Sequence, residues 1–135
     1  TFFYLKKPKM WRRVIFYDIG CYGTPQYYAL NGIRDNWREF CFYLKTRHPF
    51  IVPTYFSLFG IVNLCGIGEE CQKDFWCELN KITEDVQKDM HHFSNSKNFV
   101  VYNGKFCMAD YSGLEVQKII KGYGKEIQEK ITALL

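Results

Sequence analysis

Residues 99–110 read Phe-Val-Val-Tyr-Asn-Gly-Lys-Phe-Cys-Met-Ala-Asp, two strand-like runs held apart by Asn103-Gly104. Asn-Gly suits the two positive-φ positions of a type I′ turn, so the stretch predicts a β-hairpin. Tyr111 follows, and Ser112-Gly113-Leu114-Glu115 has the form of a capping box. Behind it Val116, Ile120, Tyr123, Ile127, Ile131 and Leu134 recur on one helical face. Gly122 and Gly124 each cost about 1 kcal/mol relative to Ala, so a break near them is expected. A hairpin running directly into an amphipathic helix belongs to an α+β domain, with helices packed on an antiparallel or mixed sheet.

The upstream sequence extends that pattern. In residues 69–93, Phe75, Leu79, Ile82, Val86 and Met90 keep helical spacing, with Glu70, Asp74, Glu78, Lys81, Asp85 and Lys88 on other faces. Residues 54–64 (TYFSLFGIVNL) form a near-continuous apolar run, read as one central strand in which Gly60 permits a bulge or a close approach. Asp35 is placed to cap a helix through Thr46, with Trp37, Phe40, Cys41 and Leu44 on one face and Arg38, Glu39, Lys45 and Arg47 largely on the other. Residues 26–30 read as a short strand closed by an Asn31-Gly32 turn. Residues 1–7 and 11–18, parted by Pro8, read as a hairpin of aromatic and branched side chains. The expected order is β-β-(β)-α-β-α-β-β-α, about five strands with three helices in a single domain over residues 1–135. Thr1 already lies in a strand-like run, so the chain is expected to be a fragment of a longer one.

Composition narrows the class. The 135 residues are 47% apolar and 24% charged, a globular balance far from that of disordered chains. Twelve Phe, ten Tyr and three Trp require a core assembled largely from rings. No run reaches the ~18–20 apolar residues of a membrane helix, so no membrane partner is expected. The six cysteines are too sparse for a disulfide scaffold, and Cys41, Cys71 and Cys107 fall in apolar patterns that suit buried thiols. That usage points to an intracellular location, cytoplasmic or nuclear.

Chemistry-bearing motifs are few. Cys21 sits in Gly-Cys-Tyr-Gly after an apolar strand, which invites comparison with the nucleophile elbow of a Cys-dependent hydrolase. His48, His91 or His92 would have to serve as its base. However, Ile19 occupies the first glycine position of that motif, and Pro25 stands where a helix would begin. Cys65, Cys71 and Cys77 are six apart, a spacing that turns helical side chains away from one another, so no metal site is expected. Glu69/Glu70 and Glu84/Asp85 read as solvated charge. No catalytic residue and no cofactor is assigned.

Charge carries more information. The net +4 divides into +6 over residues 1–48, −4 over 49–96 and +2 over 97–135. Lys6, Lys7, Lys9, Arg12 and Arg13 put five cations within eight residues, beside Trp11. Cations meet phosphates and exposed rings stack on bases, so the segment is a candidate nucleic-acid surface, extended by Arg34, Arg38 and Arg47. The expected function is a non-catalytic binding module of a larger intracellular assembly. Its partner is nucleic acid, RNA in preference to DNA, or an acidic protein surface. The alternative is a protein–protein or self-association domain, homo- or hetero-oligomeric, using Phe2, Phe3, Tyr27, Tyr28 and Tyr43.

Residues 59–64 (FGIVNL), the segment 69–93 and residues 104–111 (GKFCMADY) resemble the RNA recognition motif in their order of strand, helix, hairpin and helix. In that family two short motifs present aromatic rings to stacked bases. The resemblance implies that role for Phe106 and Tyr111, while Gly60, Lys105 and Met108 depart from the family pattern.

Overall fold

The computed structural model describes residues 2–7, 10–15, 25–71, 73–83, 93 and 95–135. Lys9, Cys21, Val86, Met90, His91, His92 and the Glu84/Asp85 pair lie outside the described residues. The elements are β1 (Phe2–Lys7), β2 (Met10–Ile15), α1 (Pro25–Thr46), β3 (Thr54–Leu58), β4 (Val62–Gly66), β5 (Glu69–Glu70), α2 (Trp76–Ile82), β6 (Phe99–Tyr102), β7 (Lys105–Met108) and α3 (Leu114–Thr132). A 3-10 turn spans Ser96–Asn98 ahead of β6. The fold is α+β, and the described strands pair with one another in antiparallel fashion, with one isolated parallel bridge between Ile51 and Met108. The chain divides into two compact units, Thr1–Thr46 with Pro53–Ile67, and Arg47–Val52 with Gly68–Leu135.

The first unit holds a four-stranded sheet ordered β1-β2-β4-β3 together with α1. Two local readings change here. Residues 26–30 are not a strand, because α1 begins at Pro25 and runs through them and through Asn31-Gly32. Proline is favoured in a first helical turn, where its missing N–H costs no hydrogen bond. The apolar run 54–64 is likewise two strands rather than one. Ile61 N–H donates to Leu58 O at 2.9 Å, closing a two-residue turn on Phe59 and Gly60. Both residues have positive φ, 48° and 77°, the signature of a type I′ turn. Holding a bulky residue such as Phe59 in left-handed backbone costs about 1–2 kcal/mol.

Gly60 is the close approach expected of it. A Cβ there would stand 2.1 Å from the carbonyl oxygen of Ile33 in α1. Asn36 fastens the two elements together, since its Nδ2 donates to Gly60 O at 2.9 Å. Its own carbonyl accepts from Asn63 Nδ2 at 3.0 Å, while Gly60 N–H donates to Ser57 Oγ at 3.0 Å.

That clamp inverts the expected orientation of α1. Asn36 and Glu39 are 3% and 2% exposed, and Phe42 is buried beside them. Trp37 and Leu44, which their spacing puts on the apolar face, are 41% and 50% exposed. Phe40 and Cys41 are half-buried. Hydrogen bonding from Asn36 to the hairpin fixes which face turns inward, and apolar periodicity carries no information about such a bond. The helix stops at Thr46, where Arg47 takes left-handed backbone with φ 41°.

The second unit is built on rings, as the composition requires. Phe99 and Phe106 stack with centroids 4.9 Å apart, and Phe75 meets Phe106 edge-on at 5.4 Å. Phe50 and Phe93 close around them. The β6–β7 hairpin forms as expected, with Asn103 and Gly104 at φ 51° and 73° and Tyr102 paired with Lys105. Against the edge of β7, Val52 N–H donates to Met108 O at 2.9 Å and Met108 N–H to Phe50 O at 2.7 Å. Of the helix expected over 69–93, α2 forms and Phe93 is again helical, whereas Glu69–Glu70 joins the sheet beside β6.

α3 runs unbroken through Gly122 and Gly124, burying Val116, Ile119, Ile120, Ile127 and Ile131, with Leu134 exposed. Gly124 persists because the ring of His48 lies against it: a Cβ there would be 2.6 Å from His48 Cε1 and 3.2 Å from Phe50 Cδ1. Gln128 is buried on the same face, its Nε2 donating to Pro49 O at 2.7 Å and to Phe106 O at 3.2 Å. The expected capping box does not form. Gly113 is the N-cap without a side-chain bond, Ser112 Oγ donates to Asp110 at 3.4 Å, and Glu115 pairs with Lys118 at 2.7 Å.

Candidate nucleic-acid interface

The basic N-terminal residues lie on two adjacent strands. Lys6 pairs with Trp11 and Lys7 with Met10 across the β1–β2 ladder. β2 is an interior strand, so Trp11, Arg12 and Arg13 also stand in register with Cys65, Leu64 and Asn63 of β4. Phe2 and Phe3 lie on β1, and Tyr27 and Tyr28 in the first turns of α1. Tyr43, further along α1, is half-buried.

Arg34 and Arg38 come together on α1 through one carboxylate. Arg34 Nε lies 3.4 Å and Arg38 Nη1 3.6 Å from the same Oδ1 of Asp35. Solvent-exposed pairs of this length contribute at most about 1 kcal/mol, so both guanidiniums remain free to exchange Asp35 for a phosphate. Arg47 is exposed one residue beyond the helix.

The aromatic component differs from the expected one. Phe59, at the tip of the β3–β4 hairpin, is 74% exposed. Its ring stacks on Trp37 of α1 with centroids 6.4 Å apart and planes 25° from parallel. Tyr55, Phe56, Leu58 and Ile61 of the same hairpin are also exposed. None of these was assigned as a binding residue from the sequence, because an apolar run and an amphipathic period both read as core. The one local signal was Gly60, which marks a turn and therefore a tip.

The rings implied by the resemblance to the RNA recognition motif are not available. Phe106 and Tyr111 are each 1% exposed, and Tyr111 Oη donates to Val52 O at 2.9 Å. They belong to the core of the second unit, whose three-stranded sheet is ordered β5-β6-β7.

Other chemistry has little footing among the described residues. Cys41, Cys71, Cys77 and Cys107 carry thiols outside any disulfide. Burial pushes the Cys107 thiol up to about 11, far from a reactive thiolate. His48 accepts Phe50 N–H on Nδ1 at 3.2 Å, and burial followed by the nearby Lys125 charge lowers its pKa. No cluster of three or more His, Cys, Asp or Glu side chains suited to a metal is gathered among the described residues. A cavity of about 10 Å³ beside Phe75, Leu79, Phe93 and Phe106 has room for roughly one water molecule. No helix among the described residues is long and apolar enough to cross a membrane.

No family model, no curated protein and no solved structure matches the chain.

Proposed function

We propose that this chain is a non-catalytic binding module of a larger intracellular assembly, and that its basic, aromatic N-terminal unit contacts RNA. One observation carries the reading: a single sheet joins the strands bearing Lys6, Lys7, Trp11, Arg12 and Arg13 to a hairpin exposing Tyr55, Phe56 and Phe59. Cations that neutralise phosphates release condensed counterions, a gain that shrinks as salt rises and makes affinity steeply salt-dependent, while exposed rings accept bases of any sequence.

A second reading, a self-association or protein–protein domain, is favoured by the outward apolar stripe of Leu30, Trp37 and Leu44 on α1. Exposed stripes of this kind commonly mark interfaces. Binding of labelled single- and double-stranded RNA and DNA at low and moderate salt, with light scattering on the same sample, separates the two. A monomer binding single-stranded RNA in a salt-sensitive way supports the first. Absence of binding, with a mass that rises with concentration, supports the second.

A further inference from the structure

We infer that the Trp37–Phe59 ring pair is a stacking ledge for an unpaired RNA base, with Arg34 and Arg38 holding the adjoining phosphate. The inference rests on the RNA reading above and gives that contact a location within the first unit.

The starting point is a strained residue. Phe59 occupies the first central position of a type I′ turn, where Asn, Asp or Gly is favoured and a bulky side chain is an outlier. The chain supplies its own comparison: the β6–β7 hairpin makes the same turn with Asn103-Gly104. Gly60 is fixed by its approach to Ile33 O, but nothing in the backbone requires a ring at 59. The ring is not retained for the core either, because 74% of the residue faces solvent. Strained positions of this kind collect at ligand clamps.

The surroundings define the ligand. Trp37 lies nearly parallel to Phe59, and Phe40 flanks Trp37 with centroids 5.6 Å apart, so the rings form a short π-surface. Arg34 lies one helical turn before Trp37, and Arg38 is the next residue. Among the described residues both guanidiniums meet the Asp35 carboxylate, and both side chains keep a third or more of their surface open to solvent. An exposed π-face on the same helix as two solvent-accessible guanidiniums matches a nucleotide, whose base stacks while its phosphate accepts hydrogen bonds. An apolar protein partner would use the rings but offer the two guanidiniums no anion.

The probe is a fluorescein-labelled oligouridine of about 12 nucleotides, within the span a single-strand binding module covers. Phe59→Asn installs the residue that the turn favours, so the hairpin is retained while the ring is lost. It is expected to weaken binding about 5- to 150-fold, the fold-change corresponding to the ~1–3 kcal/mol of one base stack. The salt slope stays as in the wild type, because the cations are intact. Phe59→Tyr restores binding to near the wild-type level. Changing Arg34 and Arg38 together to Gln instead lowers the salt slope by about 0.7, the share of the one phosphate they hold. If the wild-type chain binds the oligonucleotide and Phe59→Asn binds it equally well, the ledge is refuted while the RNA reading stands. If the wild type does not bind, both fall. Self-association abolished by Phe59→Asn, without RNA binding, also overturns the inference and assigns the rings to a protein interface.

Discussion

Replacing Asn36 by alanine discriminates between the two faces that α1 can turn inward. If the apolar periodicity decided the orientation, Asn36 would be a surface residue, and alanine would stabilise the helix by up to about 0.7 kcal/mol through propensity alone. In the structure Asn36 is 3% exposed and its Nδ2 donates to the carbonyl of buried Gly60 at 2.9 Å. Removing that donor strands a buried acceptor, at a cost of about 1–3 kcal/mol. After the propensity gain, the expected net loss is about 1–2 kcal/mol. Urea unfolding followed by far-ultraviolet circular dichroism reads it as a midpoint lower by roughly 1 M at an m-value of ~1–3 kcal/mol/M. Leu44→Ala is the companion variant. Leu44 is half exposed, so the change is expected to cost under about 1 kcal/mol, against the ~2–5 kcal/mol of a core leucine. The orientation argued here is wrong if Asn36→Ala is neutral or stabilising while Leu44→Ala shows the larger loss.

Three further outcomes follow from the second unit. Gly122→Ala meets open space and is expected to stabilise α3 by about 1 kcal/mol, whereas Gly124→Ala crowds His48 and Phe50 and lowers the melting midpoint; thermal unfolding of both variants checks the difference. The His48 pKa is lowered, so its contribution to stability is complete above the unfolded value of 6.5 and is lost as pH falls from there through the folded pKa. His48→Asn is therefore expected to flatten the stability profile between about pH 7.5 and about pH 5, and denaturant midpoints across that range test it. Iodoacetamide at about pH 8 is expected to label exposed Cys77 and to spare Cys107, which is buried and pushed up to about 11, until denaturant is added; peptide mass spectrometry gives the order.

The parts of the fold that were legible in the sequence are those decided locally. Asn103-Gly104 specifies its turn by backbone preference, and the buried face of α3 repeats at helical spacing over five turns, so neither depends on distant residues. The β3–β4 hairpin was hidden because Phe59 stands where a turn residue was expected, which joined two short strands into one apolar run. α1 was misread at both levels. Its first turns contain Tyr27, Tyr28 and Asn31-Gly32, which locally favour strand and turn, and helix formation there overrides propensity. Its inward face is chosen by Asn36 hydrogen bonds to the hairpin, and a buried polar contact leaves no periodic trace. The Trp37–Phe59 pair leaves no local signal either, since spacing puts Trp37 on an apolar helical face and the apolar run reads as one central strand through Phe59. Arg34, Arg38 and Arg47 were placed correctly on or beside α1 because charge on an exposed helix needs no tertiary partner to be recognised.

The proposed contact with RNA through the N-terminal cations is tested most directly by a salt titration. Lys6, Lys7, Lys9, Arg12 and Arg13 are changed together to Gln, and oligouridine affinity is measured for both chains across a range of salt. Each phosphate contact contributes ~0.7 to the slope of log affinity on log salt, so the variant is expected to lose up to about 3.5 of that slope and most of its low-salt affinity. Equal affinity and an unchanged slope in the two chains would contradict the account.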